Sequence, residues 1–272
     1  MTPGLRITAA ALLALVASRE APAQTAQTLR ADSARRFTVY VAGPRDAAEG
    51  IVLVHDFFGV SPFFLGAVDR LAKRGYRVIG VDLYDGRRAT SHTDALALLH
   101  GVDTALATRK IDAAVASLKG RQHKLAVMGF SMGGRPALEA ALRNPAIVAT
   151  VEWYGETIND SIRLKRLAGP ALLVVGSRDG PSAAENAAAF SKAADDAGAA
   201  AEIYVYPGAA HAFAQPLFNR GTTYDQLATD VAWRLTESFL QRAFAAPRTA
   251  GRGHAALLER ANTGANRSAP RP

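Results

Sequence analysis

Three residues able to do acyl-transfer chemistry follow one another along the chain. They are Ser131 in Gly129-Phe130-Ser131-Met132-Gly133, Asp179 in Gly176-Ser177-Arg178-Asp179-Gly180, and His211 in Tyr206-Pro207-Gly208-Ala209-Ala210-His211-Ala212-Phe213. A serine hydroxyl is a poor nucleophile at neutral pH until an imidazole takes its proton. The imidazole in turn needs a carboxylate to hold its tautomer and stabilise its cation. The order serine, acid, histidine is the one expected when all three stand at the carboxyl ends of parallel strands. Each alone has a bland reading, since Asp-Gly is a common turn and a loop histidine is usually solvated. Their joint placement is what points to a triad.

The elements that must position these residues are legible around them. Lys124 to Met128 is an apolar run that reads as a buried strand, and Arg135 to Arg143 reads as a helix. Strand, G-x-S-x-G, helix is the arrangement that turns a serine hydroxyl outward at the end of a sheet. The strand Ala171 to Val175 precedes Asp179, and Glu202 to Tyr206 precedes His211. Further strands are expected at Arg36 to Val41, Gly50 to His55, Tyr76 to Val81 and Val148 to Tyr154. Continuous apolar runs such as Ile51-Val52-Leu53-Val54 mark strands buried on both faces. Helices are expected over Phe63 to Lys73 with Gly75 as its C-cap, within Ala95 to Leu118, over Ala183 to Ala197, and over about Tyr224 to Phe244. Such alternation predicts an α/β fold with a mostly parallel sheet and helices on both faces.

A tetrahedral intermediate also needs two backbone N–H groups aimed at its oxyanion. Met132, after the nucleophile, supplies one. The loop His55-Asp56-Phe57-Phe58-Gly59 supplies the other, assigned to Phe57. Asp56 then points toward the serine, or else caps the helix at Ser61 or Pro62. Phe57, Phe58, Phe63 and Phe64 are candidates for an apolar pocket. Among the other histidines, His92, His100 and His123 sit in a polar segment, a helix and the wrong strand end, and His254 is in the tail. His55 is read as packing or orienting its loop.

The 272 residues carry a formal charge of +8, but much of it lies outside the body. The first 23 residues and the segment from Ala246 are both net basic, leaving about +3 on the body. No basic stripe interleaved with aromatics accompanies it, so no nucleic-acid partner is indicated. The absence of cysteine excludes disulfides and a thiol nucleophile. Residues 1–23 read as a signal peptide: Arg6, an apolar run from Ile7 to Ala17, then Ala21-Pro22-Ala23. That run is too short to span a bilayer. Export, to a bacterial periplasm or beyond, is therefore expected. The organisation read is a signal over 1–23, one domain over 24–245 and a flexible basic tail over 246–272, with a short helix allowed near His254 to Arg260.

The motifs His55-Asp56-Phe57-Phe58-Gly59, Val81-Asp82-Leu83-Tyr84, Gly129-Phe130-Ser131-Met132-Gly133-Gly134, Trp153-Tyr154-Gly155, Asp179 and Tyr206 to Phe213 together resemble the dienelactone hydrolase family. The resemblance implies the α/β-hydrolase fold from about residue 36 to 243 and a small ester or lactone as substrate, with no cofactor or metal. It departs from the family at the nucleophile, where Ser131 replaces the usual cysteine. Asp56 stands where the family often has a glutamate that helps to activate the thiol. Gln215 replaces a substrate-binding arginine four residues after the histidine. Arg87 is matched to the other such arginine, and Tyr84 and Tyr154 are carried over as candidate substrate contacts. Serine makes an ordinary esterase mechanism the simpler expectation, and the lost arginine counts against dienelactone itself. A ligand-binding protein without catalysis, and acyl transfer or peptidase action by the same triad, remain as alternatives. Oligomeric state is not legible.

Overall fold

The computed structural model describes residues 24–180 and 183–247. The expected signal segment, most of the basic tail and the short helix near 254–260 lie outside the described residues.

Among the described residues eight strands form one sheet: β1 (Thr25–Arg30), β2 (Arg36–Ala42), β3 (Glu49–Val54), β4 (Arg77–Val81), β5 (Lys124–Phe130), β6 (Ile147–Trp153), β7 (Ala171–Arg178) and β8 (Ala201–Ala210). The spatial order is β1-β2-β4-β3-β5-β6-β7-β8. β1 and β2 run antiparallel to their neighbours, and the remaining pairs are parallel. This is the α/β architecture expected, and no separate large lid domain is evident among the described residues.

Among the described residues seven helices accompany the strands, six between them and one after β8: α1 (Pro62–Lys73), α2 (His92–His100), α3 (Thr104–Lys119), α4 (Gly134–Arg143), α5 (Ser161–Leu164), α6 (Ala183–Ala197) and α7 (Gln226–Ala245). Their starts are written locally. Ser61, Ser91, Asp103 and Asp225 each cap a helix by accepting a backbone N–H in its first turn. One face of the sheet packs on α1 and α7 through Phe64, Val68, Leu71, Trp233 and Phe239. The other packs on α3, α4 and α6 through Ile111, Val115, Leu138 and Phe190. Trp153 is fully buried, and its Nε1–H donates to Thr236 Oγ1 at 3.0 Å, tying β6 to α7. Burying one indole contributes about 5 kcal/mol before entropic costs.

Two differences from the expected elements matter. β1 was not expected, because its exposed, polar residues carry no apolar alternation; backbone pairing with β2 makes it a strand. β7 and β8 also run three and four residues further than their apolar cores, through an irregularity after Gly176. Their last aligned pair is Arg178 with Ala210. Asp179 and His211 are the next residues, so the two chains leave the sheet side by side.

Candidate active site

The elbow is built by close approach. A Cβ on Gly129 would lie 2.1 Å from the Gly133 carbonyl oxygen, and one on Gly133 would lie 2.5 Å from that of His55. Only glycine allows this packing. Ser131, between them, has φ of 50°, a left-handed conformation that strains a side-chain-bearing residue by about 1–2 kcal/mol. Asp85, Tyr154 and Ala212 have φ of 54°, 43° and 54°. They follow β4, β6 and β8 as Ser131 follows β5, so the strained residues gather at one end of the sheet. Such strain persists where surrounding structure over-determines a functional geometry.

There the three chemistry-bearing residues meet. Ser131 Oγ lies 2.9 Å from His211 Nε2, and His211 Nδ1 lies 2.7 Å from Asp179 Oδ1. With Nδ1–H donating to the carboxylate, Nε2 is free to accept the serine proton. The arrangement can deprotonate an alcohol and hold the resulting imidazolium against a carboxylate. The Asp179 side chain is 12% exposed, and its Oδ2 has no hydrogen-bond partner among the described residues.

The loop after β3 is held from three sides. His55 is fully buried; its Nδ1–H donates to the Asp56 carbonyl at 2.6 Å, and its Nε2 accepts from Leu83 N–H at 3.1 Å. Burial drives its pKa down to about 4, so it is neutral and orients the loop, as its position suggested. Tyr84 is buried, and its hydroxyl donates toward the Phe57 carbonyl at 3.2 Å and Met132 Sδ at 3.1 Å. One phenol thus joins the two residues assigned to the oxyanion. Asp56 neither caps α1, whose cap is Ser61, nor stands open to solvent. Its Oδ1 accepts from Phe58 N–H at 2.8 Å and its Oδ2 from Gln215 Nε2 at 2.6 Å. Burial pushes the Asp56 carboxyl up to about 6, against these two bonds and the nearby His211.

Arg87 is exposed, and its Nε–H donates to the Tyr84 carbonyl at 3.2 Å. Tyr154 is buried with its ring 5.6 Å from that of His211, and its hydroxyl has no partner among the described residues. Of the four phenylalanines considered for a pocket, Phe64 belongs to the core under α1 and Phe63 packs on Phe130. The wall beside His211 is assembled differently. Phe57, His92 and Phe218 form a triangle of rings 5.3–5.7 Å apart, and Phe218 lies 5.4 Å from His211. His92 and Phe218 were missed because neither adjoins a strand end; long connections bring them in.

The dienelactone hydrolase family profile matches residues 37–244. This chain belongs to the dienelactone hydrolase family. A family member from Yersinia pestis, assigned as a carboxymethylenebutenolidase, is 32% identical over 180 residues, covering 60% of this chain and 67% of that one. A Bradyrhizobium protein assigned as a 2-oxo-3-(5-oxofuran-2-ylidene)propanoate lactonase is 27% identical over 209 residues, covering 70% and 82%. Among solved structures, a dienelactone hydrolase-like promiscuous phosphotriesterase from metagenomic libraries superposes with a TM-score of 0.71. It is 21% identical, and the match covers 82% of this chain and 99% of that one. A dienelactone hydrolase from Anabaena variabilis gives 0.62 at 20% identity, covering 82% and 98%. Membership makes the protein a carboxylic ester hydrolase, lactones being cyclic esters.

Proposed function

We propose that this dienelactone hydrolase family member is a serine hydrolase that cleaves a small carboxylic ester or lactone through an acyl-enzyme. The observation that carries the reading is the unbroken hydrogen-bonded line from Ser131 Oγ through His211 to Asp179. Ser131 attacks the carbonyl while His211 takes its proton. The N–H groups of Phe57 and Met132 hold the oxyanion, and His211 then protonates the leaving alcohol. Water repeats the sequence to release the acid. The substrate is expected to be uncharged near the reacting carbonyl: Gln215 stands as a neutral amide bonded to Asp56, and Arg87 is exposed and turned to a backbone carbonyl. The aromatic wall beside His211 suits a flat apolar group.

A fluorophosphonate probe tests the nucleophile: Ser131 is labelled, and labelling is lost in His211→Ala. A protein that stays unlabelled is not a serine hydrolase. Rates on short-chain p-nitrophenyl esters, an aryl lactone and a dienelactone test the substrate class, with the first two expected to exceed the third. We also propose that the protein is exported, on the strength of the apolar run and the Ala21-Pro22-Ala23 site. Secreted material should begin near Gln24, and a chain retaining Met1 refutes it.

A further inference from the structure

Glu152 is a carboxylic acid in a place that leaves its Oε1 without a hydrogen-bond partner among the described residues. It is the penultimate residue of β6, in register with Gly129 of the elbow strand and Leu173 of β7, and it is 3% exposed. Its side chain reaches the start of α4. A Cβ on Gly134 would lie 2.6 Å from Glu152 Cγ, and one on Gly155 would lie 2.6 Å from Glu152 Oε1 and 2.8 Å from the Ser131 carbonyl oxygen. The carboxyl group and the nucleophile's own backbone therefore border the same small space.

The surrounding charges give it little help to ionise, Arg135 being the one that favours the charged form. β5 and β7 present glycine and leucine in register. Arg135, in the first turn of α4, is already bonded to Glu156 at 2.5 Å and lies 3.9 Å from Glu139. Glu156 adds a like charge from the loop after β6. Burial first, then Glu156, push the Glu152 carboxyl up to about 8 against the pull of Arg135. A neutral acid carries an O–H donor and is tolerated among backbone carbonyls. An ionised one has only acceptors, and desolvation opposes it by several kcal/mol.

We propose that Glu152 is a positioning residue, kept as a neutral acid behind the nucleophile elbow, and that loss of its proton to solvent displaces Ser131 and sets the alkaline limit of turnover. The inference rests on Ser131 being the nucleophile. Tyr154, two residues further on, is pushed by burial well above the ordinary phenol value.

The test compares kcat on p-nitrophenyl acetate from about pH 6 to 10 in the wild type and in Glu152→Gln, whose amide cannot ionise. The wild type loses about tenfold in kcat between pH 7 and 9 with KM little changed, as one ionisation near 8 requires. Glu152→Gln lacks that limb. In the wild type the infrared band of a protonated carboxyl that remains above about pH 7 disappears with the same midpoint, and that component is missing from the variant. Glu152→Met, also unable to ionise, serves if the amide does not fold. A limb shared by wild type and variant, or a band that persists to pH 10, overturns the proposal. A merely structural role would lower the variant's Tm and leave the limb in place. Fluorophosphonate labelling at pH 7 separates the two readings: an unlabelled wild type sinks the nucleophile, whereas a labelled protein with a flat profile sinks Glu152 alone.

Discussion

Asp56 and Asp179 are the same side chain at the carboxyl ends of two strands of one sheet, and the molecule holds them in opposite ways. Asp179 faces an imidazole at 2.7 Å and keeps a partly exposed edge. Asp56 is closed in by a backbone N–H and a neutral amide, and its proton is held up to about 6. The partner, more than the residue type or the strand end, decides the role. Beside an imidazole a carboxylate stabilises a positive charge that appears during reaction. Beside an amide it has no charge to stabilise at contact distance and acts as a clamp between two loops. Gln215 makes that difference, since the arginine the family resemblance implies there would give Asp56 a permanent cation.

The largest test of this contrast is Asp179→Asn, which should lower kcat on a p-nitrophenyl ester by about 10⁴-fold while leaving Tm little changed. Asp56→Asn should lower kcat by about tenfold or less, because an amide can still bridge the loops. A fall as deep as that of Asp179→Asn would place Asp56 in the proton chemistry and break the comparison.

The same variant has a pH signature. The folded state holds the Asp56 proton more tightly than the unfolded chain does, so the wild type gains stability from it below the ordinary carboxylate range. That gain is lost as pH rises to about 6. The loss amounts to about 3 kcal/mol at most. Thermal unfolding between about pH 4 and 6 should therefore be less pH-dependent in Asp56→Asn than in the wild type.

Gln215→Arg sharpens the contrast from the other side. It should draw the Asp56 pKa down and raise kcat/KM for a carboxylate-bearing lactone over a neutral one by about fivefold, the scale of one screened ion pair. Phe218→Ala should have the smallest effect, about a threefold rise in KM for aryl esters relative to alkyl esters, read from paired substrate series.

The meeting of Ser131, His211 and Asp179 was legible because each sits within a few positions of an apolar strand, where spacing along the chain translates directly into position on the sheet. The parallel core strands and α6 were legible for the same reason, through continuous apolar runs and helical periodicity. β1 was not, since an edge strand of Thr-Ala-Gln-Thr-Leu-Arg is made by pairing rather than by burial. The extension of β7 and β8 was hidden by Pro207 and Gly208, which read as a turn although the pairing resumes at Arg178 and Ala210. His92 and Phe218 left no local mark, because an aromatic that folding brings close to His211 looks in sequence like any other aromatic.

Sequence by itself determined the strand–turn–helix setting of Ser131 and the order in which Asp179 and His211 follow it, since glycine spacing and apolar runs are local properties of the chain. Only the tertiary structure decided what the acids do. Asp56 and Gln215 are 159 positions apart and meet at 2.6 Å, and Glu152 lies against Gly134 and Gly155 with its Oε1 unbonded among the described residues. The proton affinity of a carboxyl group depends on what surrounds it, and distant segments supply those surroundings.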